Sequence, residues 1–191
     1  MEASASVKAT LADWSESKIF LALDSSLFWD EYCLIRFSVI HRGRALPLVW
    51  RVIRHESASV SFVDYREMIQ QAQSRLPKSV AVVLLADRRF VHTELMEMLT
   101  SQLGWCYRIR IKSNTWWKGN WCQPKSFHLN CGEAICLHNV QIHKGEFYGT
   151  VNVIIARNNI NGELWAMRGR MPSSRRSATL AHGGNPHEQV S

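Results

Sequence analysis

Two apolar runs, IFLALD at residues 19–24 and VAVVLLAD at residues 80–87, each end on a single aspartate. A continuous apolar run of this length without a helical stripe is typical of a strand buried on both faces, as in the parallel centre of a mixed sheet. Ligands bind outside the carboxyl ends of such strands. If the two strands are neighbours, the carboxylates of Asp24 and Asp87 therefore converge at one edge of the sheet.

Two converging carboxylates favour a bound divalent cation. Like charges at this spacing repel each other unless a cation lies between them, and hard oxygen ligands suit Mg²⁺ or Mn²⁺. Paired ions of this kind cut and join phosphodiester bonds. Each aspartate also has a purely structural interpretation, because Asp24 can cap a turn and Asp87 can be the N-cap of the helix that follows. The prediction of a site depends on the pair.

Length and composition predict one globular domain. The chain has 191 residues, of which 46% are hydrophobic, and this is enough for a sizeable core. No apolar run approaches the roughly twenty residues that span a bilayer, and Met1–Thr10 lacks a hydrophobic signal core, so we expect a cytoplasmic protein without membrane association. The five cysteines form no CxxC pair, which predicts reduced thiols. A net charge of +7 favours a polyanionic partner.

The first half of the chain predicts three strands, a helix, a strand and a second helix. Tyr32–His41 and Arg44–Arg54 are rich in β-branched and aromatic residues and flank Arg42-Gly43, so we expect a hairpin. Phe62–Arg75 has apolar residues at the spacing of an amphipathic helix. Val91–Leu103 is predicted to be the second helix, after the strand that ends at the second aspartate.

The second half of the chain is β-rich and ends in a segment of different composition. Trp105–Lys112 alternates apolar and polar residues, as a half-buried strand does. Turn residues at regular intervals between short β-prone runs predict a β-rich insertion over residues 113–161. Residues 167–191 are rich in Ser, Arg, Gly and Pro and have no apolar period, so a disordered basic tail is predicted there.

This order of elements, with one acid ending the first strand and another ending the fourth, resembles the ribonuclease H-like core. In sequence the chain resembles the catalytic domain of DDE transposases from bacterial insertion sequences, in the class with a β insertion between the second and third acids. The resemblance covers most of residues 19–166 and is carried by Leu21–Asp24, the hairpin at Ile35–Ile53, Leu85–Phe90 and Gly104–Lys112. It implies an α/β fold: a mixed sheet with flanking helices and a β-rich insertion, incomplete at its C-terminal side.

The resemblance also implies a reaction and its participants. Asp24 and Asp87 would be the first two catalytic, metal-binding acids, with Mg²⁺ or Mn²⁺ as the cofactor. The substrate would be double-stranded DNA at transposon ends, which the family cuts and joins by two-metal phosphoryl transfer. Intact members of the family imply a homodimer as one possible assembly.

Several features depart from the family pattern. Family members usually have glycine where this chain has Arg89. They supply a third acid as a glutamate within a later helical pattern of tyrosine, arginine, glutamate and lysine, and neither Glu163 nor Glu188 fits that role. They also carry a helical DNA-binding region before the core, whereas a short lead of residues 1–18 precedes the first strand here. We therefore expect a transposase fragment, truncated at both ends and inactive alone.

Candidate DNA-binding residues follow the second aspartate. Arg108, Arg110 and Lys112 share one face of the predicted strand, and Trp116 and Trp117 come next along the chain. Such cations bind phosphates and such rings stack on bases. The same residues also fit a solvated strand face and a packed insertion core, and both interpretations remain open.

Other classes of function remain as alternatives. The second interpretation of the chain is a non-catalytic DNA-binding or interaction remnant. A small Mg²⁺-dependent nuclease requires a further acid near the pair, for which Asp13, Glu31 and Asp64 are the candidates by chain order. A zinc site is a weak alternative, because the spacings of its candidate ligands fit no common finger: Cys122, His128, Cys131, Cys136 and His138. A Ser/His/Asp hydrolase is weaker still, since the sequence has no GxSxG motif.

Overall fold

The computed structural model describes residues 5–112, 115, 117–118, 123–142 and 150–170. The strands within these ranges are β1 (Lys18–Phe28), β2 (Tyr32–His41), β3 (Arg44–Arg54), β4 (Ala81–Ala86), β5 (Cys106–Arg110), β6 (Trp117–Lys118), β7 (Ala134–Ile142), β8 (Thr150–Arg157) and β9 (Leu164–Arg170). They form one sheet in the order β3-β2-β1-β4-β5-β9-β8-β7-β6.

Helices flank the β1–β5 part of this sheet. They are α1 (Ala5–Ala12), α2 (Phe62–Arg75) and α3 (Thr93–Glu97), which continues into a π-helical turn at Met98–Gln102. Short 3-10 turns lie at Arg88–Phe90 and Pro124–Ser126. Within the part of the chain that the structure describes, no helix has the length and apolar character needed to cross a bilayer.

Strand directions confirm the predicted fold class. β2 runs antiparallel to both β1 and β3, whereas β4 runs parallel to both β1 and β5. The sheet order β3-β2-β1-β4-β5, with one helix after β3 and another after β4, is that of a ribonuclease H-like core. The fold is therefore α/β, a mixed sheet with flanking helices.

Local signals in the sequence explain two of these elements. At the β2–β3 turn both Arg42 and Gly43 have positive φ, 48° and 75°, as a two-residue hairpin turn requires. Helix α2 has the bounds expected from its apolar spacing. It begins with a capping box, in which Asp64 accepts hydrogen bonds from the backbone N–H and the hydroxyl of Ser61.

In β1, one face of the sheet is packed and the other is half-exposed. In β1, Ile19, Leu21 and Leu23 are buried, and they belong to the same core as the apolar residues of α2 and α3. The alternate residues Phe20 and Ala22 are only half-buried. We call the first side the packed face and the second side the open face.

Residues 113–161, predicted to form a β-rich insertion, contain β6, β7 and β8, and β9 follows them. β9 pairs with β5 on one side and with β8 on the other, so the insertion continues the central sheet. It has its own small core of Ile111, Val151, Val153, Ile155 and Ala166. β9 extends to Arg170, beyond the boundary expected at residue 166, because its last residues pair with β5. Residues 171–191 of the predicted tail lie outside the described residues.

The N-terminal lead contains a helix that its sequence does not indicate. Helix α1 has few large apolar residues and no clear apolar stripe, yet Val7 is buried in the main core. After the helix, the ring of Trp14 lies 5.2 Å from that of His41 in β2. Contacts with the sheet, rather than local propensity, therefore account for this helix.

Gly169→Ala tests the junction between the core and the insertion. A Cβ at Gly169 would lie 2.5 Å from the backbone oxygen of Tyr107 in β5. We expect the free energy of unfolding, measured in urea, to fall by about 1–3 kcal/mol because β9 must move away from β5. Gly43→Ala is the control, since its Cβ meets no atom within 4 Å and only backbone strain is added. Wild-type stability of the Gly169 variant would contradict this packing.

Candidate functional site

Asp24 and Asp87 lie at the same edge of the central sheet. The register between the parallel strands β1 and β4 ends with Leu23 opposite Ala86, and the two aspartates are the next residues on each chain segment. Both acids therefore lie where the parallel pairing ends. Their side chains are 50% and 38% exposed, so solvent reaches both carboxylates. The prediction that the two strands are neighbours is confirmed.

β1 continues beyond Asp24, contrary to the expectation that the strand ends there. The strand runs on to Phe28, because these last residues pair with β2 although they no longer pair with β4. Asp24 thus marks the end of the parallel pairing and lies inside a longer antiparallel hairpin. It does not cap a turn.

Each aspartate forms an ion pair with an arginine. Asp24 lies directly opposite Arg36 in β2, and the Nη2 of Arg36 is 3.2 Å from the Oδ2 of Asp24. The Nε of Arg89 is 3.1 Å from the Oδ2 of Asp87. Exposed pairs of this kind contribute about 1 kcal/mol or less, so a cation can compete with them.

Asp87 also has the structural role that its position allows. It is the N-cap of the 3-10 turn Arg88–Phe90, and its Oδ1 accepts a hydrogen bond of 2.7 Å from the backbone N–H of Arg89. The carboxylate is thereby held in one orientation. A glycine at position 89 would keep this backbone hydrogen bond but would lack the ion pair with Asp87.

Helix α2 anchors the segment that follows Asp87. Phe90 is buried against Tyr65, with ring centroids 5.5 Å apart in an edge-on arrangement. The hydroxyl of Tyr65 lies 2.6 Å from the Nδ1 of His92. These contacts hold the middle and the end of the short segment between β4 and α3 against the packed face. They thereby restrict the position of Asp87, with which the segment begins.

The Tyr65–His92 hydrogen bond joins two neutral groups. Burial raises the pKa of Tyr65, and the charges of Glu94 and Asp64 raise it further. Burial lowers the pKa of His92; Arg168 adds to this effect, whereas Glu94 opposes it. The tyrosine therefore keeps its proton, and its O–H donates a hydrogen bond to Nδ1 of His92. The neutral imidazole then carries its own proton on Nε2.

The structure places the predicted DNA-binding arginines on β5. Ile109 is buried while Arg108 and Arg110 on either side are half-buried, which confirms the predicted alternation. Arg110 is held by β9, since its guanidinium donates to Glu163 and lies 4.5 Å from the ring centroid of Trp165. These contacts reduce what Arg110 can offer to a phosphate.

The remaining predicted DNA-binding residues lie at or beyond the start of the insertion. Lys112 is exposed just after β5. Trp117 begins β6, where its backbone pairs with Ile142, but its side chain lies outside the described residues. Trp116 lies outside them altogether. The structure therefore does not test base stacking on these two rings.

A third metal-binding acid does not join the pair within the described ranges. There, no three His, Cys, Asp or Glu side chains converge on one point. The hydrogen bond from Arg110 lowers the pKa of Glu163 and holds that carboxylate against β5, while Asp64 is used in the capping box of α2. Glu188 and Cys122 lie outside the described residues.

Sequence reasoning did not identify Arg36 or the Tyr65–His92 pair. Arg36 lies opposite Asp24 only because the β1–β2 turn occurs at Trp29-Asp30, where the sequence has no glycine or asparagine to mark it. The spacing of α2 does predict that Tyr65 is buried, and this was the available signal for an anchor. Its partner lies 27 residues away along the chain.

Comparison with known proteins adds little to this geometry. No protein-family model and no curated protein matches the chain. The solved structures to which the chain is similar include an Argonaute and a transposase. Argonaute from Marinitoga piezophila, in complex with guide RNA and target DNA, has a TM-score of 0.40 and 10% identity over 87% of this chain and 25% of its own. The piggyBac transposase in a synaptic complex with hairpin DNA has a TM-score of 0.45 and 7% identity over 86% of this chain and 35% of its own.

The chain thus spans about a quarter and about a third of these two proteins. Likenesses at this level carry no argument about function. The assignment of the fold depends instead on the strand order and directions of the central sheet.

His92→Asn tests the neutral hydrogen bond. Because folding disfavours the protonated imidazole, the unfolded chain takes up this proton first as the pH falls below about 6.5. We expect the free energy of unfolding of the wild type to decrease below that pH. Its slope against pH should not exceed the slope expected for the uptake of one proton on unfolding. The asparagine variant should lack this component, whereas His128→Asn, which changes an exposed histidine, should keep it. An identical pH dependence in the wild type and the His92 variant would contradict this assignment.

Proposed function

We propose that the chain is the partial catalytic core of a DDE transposase, and that Asp24 and Asp87 bind a divalent cation for phosphoryl transfer on DNA. The observation that supports this most directly is the register of β1 and β4, in which Asp24 and Asp87 directly follow the last paired residues, Leu23 and Ala86, at the carboxyl ends of parallel strands. The proposed substrate is double-stranded DNA at transposon ends, and the proposed compartment is the cytoplasm.

The donor set fits Mg²⁺ or Mn²⁺. Two solvent-accessible carboxylates, one in β1 and one directly after β4, supply hard, anionic oxygens and leave room for water and for a phosphate oxygen. When bound, the cation would activate a water molecule or a DNA 3′-hydroxyl and stabilise the leaving oxygen. Arg36 and Arg89 would then exchange their carboxylates for the substrate phosphate, which keeps the charge of the site balanced.

The proposed site is incomplete in this chain alone. Two carboxylates bind a single hard cation weakly, and a two-metal centre needs further ligands to hold both ions. The described residues supply no third acid. A non-catalytic DNA-binding remnant is the second candidate, and it is favoured by the arginine that already neutralises each carboxylate.

Metal binding tests the site directly. We expect Asp24→Asn and Asp87→Asn each to weaken Mn²⁺ binding at least tenfold in calorimetric titrations, because each removes a charged ligand. Arg89→Ala should strengthen binding by about fivefold, since it frees an oxygen of Asp87 from a pair worth about 1 kcal/mol. Arg88→Ala is the matched control and should leave the affinity unchanged. Equal affinities for the wild type and both asparagine variants would rule out the metal site.

DNA processing distinguishes the two candidates. We expect the chain alone to cleave or join plasmid DNA in Mg²⁺ no faster than its Asp24→Asn variant, because the ligand set is incomplete. Strong Mg²⁺-dependent strand transfer that Asp24→Asn abolishes would contradict this incompleteness. Salt-sensitive binding of duplex DNA that survives both asparagine substitutions together, without any Mn²⁺ binding, would support the remnant.

A further inference from the structure

The open face of β1, β2 and β3 carries rows of residues whose register is defined by strand pairing. Directly opposed residues of antiparallel strands project from the same face. The outer row is Phe28–Tyr32–Arg54, the middle row is Ser26–Leu34–Val52, and the inner row is Asp24–Arg36–Trp50. Since the inner row contains Asp24, all three rows lie on the face that carries this half of the candidate metal site.

These rows expose aromatic and aliphatic surface to solvent. Phe28 is 44% exposed, Trp50 is 41% and Val52 is 48%, whereas Leu23, Cys33 and Ile35 on the packed face are buried. A contiguous apolar patch on one face of a small protein indicates an interaction surface.

The turn between β1 and β2 extends the outer row with a further ring. Trp29 is 86% exposed, and its ring centroid lies 6.5 Å from that of Phe28. Trp29 and Asp30 have φ of 49° and 57°, a left-handed conformation that disfavours a bulky side chain. The fold therefore holds a large aromatic residue in solvent at a strained position, about 16 Å beyond Asp24 in the direction of the strand.

Basic side chains are interleaved with these rings. Arg54 is exposed next to Tyr32, and Arg36 lies between Asp24 and Trp50. Asp24 is the single acid in the three rows, and it is paired with Arg36. Asp30 and Glu31 are also acidic, but they lie in the turn, beyond the outer row. Charge on the face itself therefore favours an anionic partner.

We propose that the open face of β1–β3 binds single-stranded nucleic acid. Bases stack on Trp50, Tyr32 and Phe28, and phosphates bind Arg54 and Arg36. Exposed rings with nearby cations on a sheet are the means by which single strands are bound without sequence preference. The inference rests on the proposed function in taking DNA as the ligand. A DNA strand bound along the inner row would pass beside Asp24, so the inference also gives a route by which DNA reaches the proposed metal site.

The charges also argue against an apolar occupant. A helix or a second copy of the chain that covered these rows would remove Arg54 from water, and burial of an unpaired charge costs several kcal/mol. A nucleic acid strand presents a phosphate to each such cation while its bases cover the rings.

Anisotropy of a short labelled oligothymidine tests the proposal with the whole chain in EDTA, so that the metal site does not contribute. We expect Trp50→Ala and Tyr32→Ala each to weaken binding about tenfold. Trp50→Phe should keep most of the affinity, because it keeps a flat ring; this also shows that any loss does not come from misfolding. Arg54→Gln should weaken binding and reduce its salt dependence.

The controls lie on α2, which packs against the opposite face. Val63→Ala removes a side chain that is 77% exposed, and Arg66→Gln removes one exposed positive charge. Both should bind the oligonucleotide as the wild type does. Asp24→Asn with Asp87→Asn should abolish Mn²⁺ binding without loss of oligonucleotide binding, which separates this inference from the proposed function.

Two results would overturn the inference. One is an unchanged oligonucleotide affinity in Trp50→Ala and Tyr32→Ala. The other is concentration-dependent self-association in sedimentation experiments that Trp50→Ala removes, which would assign the face to contact between two copies of the chain. Neither result changes the expected Mn²⁺ affinities.

Discussion

Backbone hydrogen bonds between β1 and β4 hold Asp24 and Asp87 at one edge of the sheet, and the core enforces their register. Leu21 pairs with Leu84, and both are fully buried on the packed face. If β1 slipped by one residue relative to β4, Leu21 would turn towards the open face and Asp24 towards the core. The packing of apolar side chains therefore fixes the position of two polar ones, and the chemistry proposed for the edge depends on burial several residues away from it.

The surroundings of the two aspartates differ in a way that matters for the site. Asp24 is held within a regular hairpin and is opposed by Arg36 across two paired strands. Asp87 begins an irregular segment whose position depends on α2, through Phe90 and the Tyr65–His92 hydrogen bond. The first carboxylate thus belongs to the rigid sheet, whereas the second is positioned by side-chain contacts that a ligand can perturb.

Local patterns predicted the elements whose signals are contained within one segment. Phe62–Arg75 combines apolar spacing with a capping box, and the β2–β3 turn has a glycine with positive φ. The length of β1 was not predictable, because Asp24 is followed by two serines that resemble a turn and only pairing with β2 keeps them extended. Helix α1 is similar, since its contacts with the sheet are absent from its own sequence. At the site, the position of each acid directly after an apolar run is visible in the sequence, but the arginine opposite Asp24 depends on a register set by an unmarked turn.

The continuity of the sheet through β9 has a mechanical consequence. β9 is hydrogen-bonded to the core strand β5 and to the insertion strand β8, and Gly169 brings it close to the backbone of Tyr107. A rotation of the insertion relative to the core would therefore have to twist or break the backbone hydrogen bonds of β9. Because β5 also pairs with β4 up to Ala86, the residue before Asp87, such a twist would reach the strand that carries this acid.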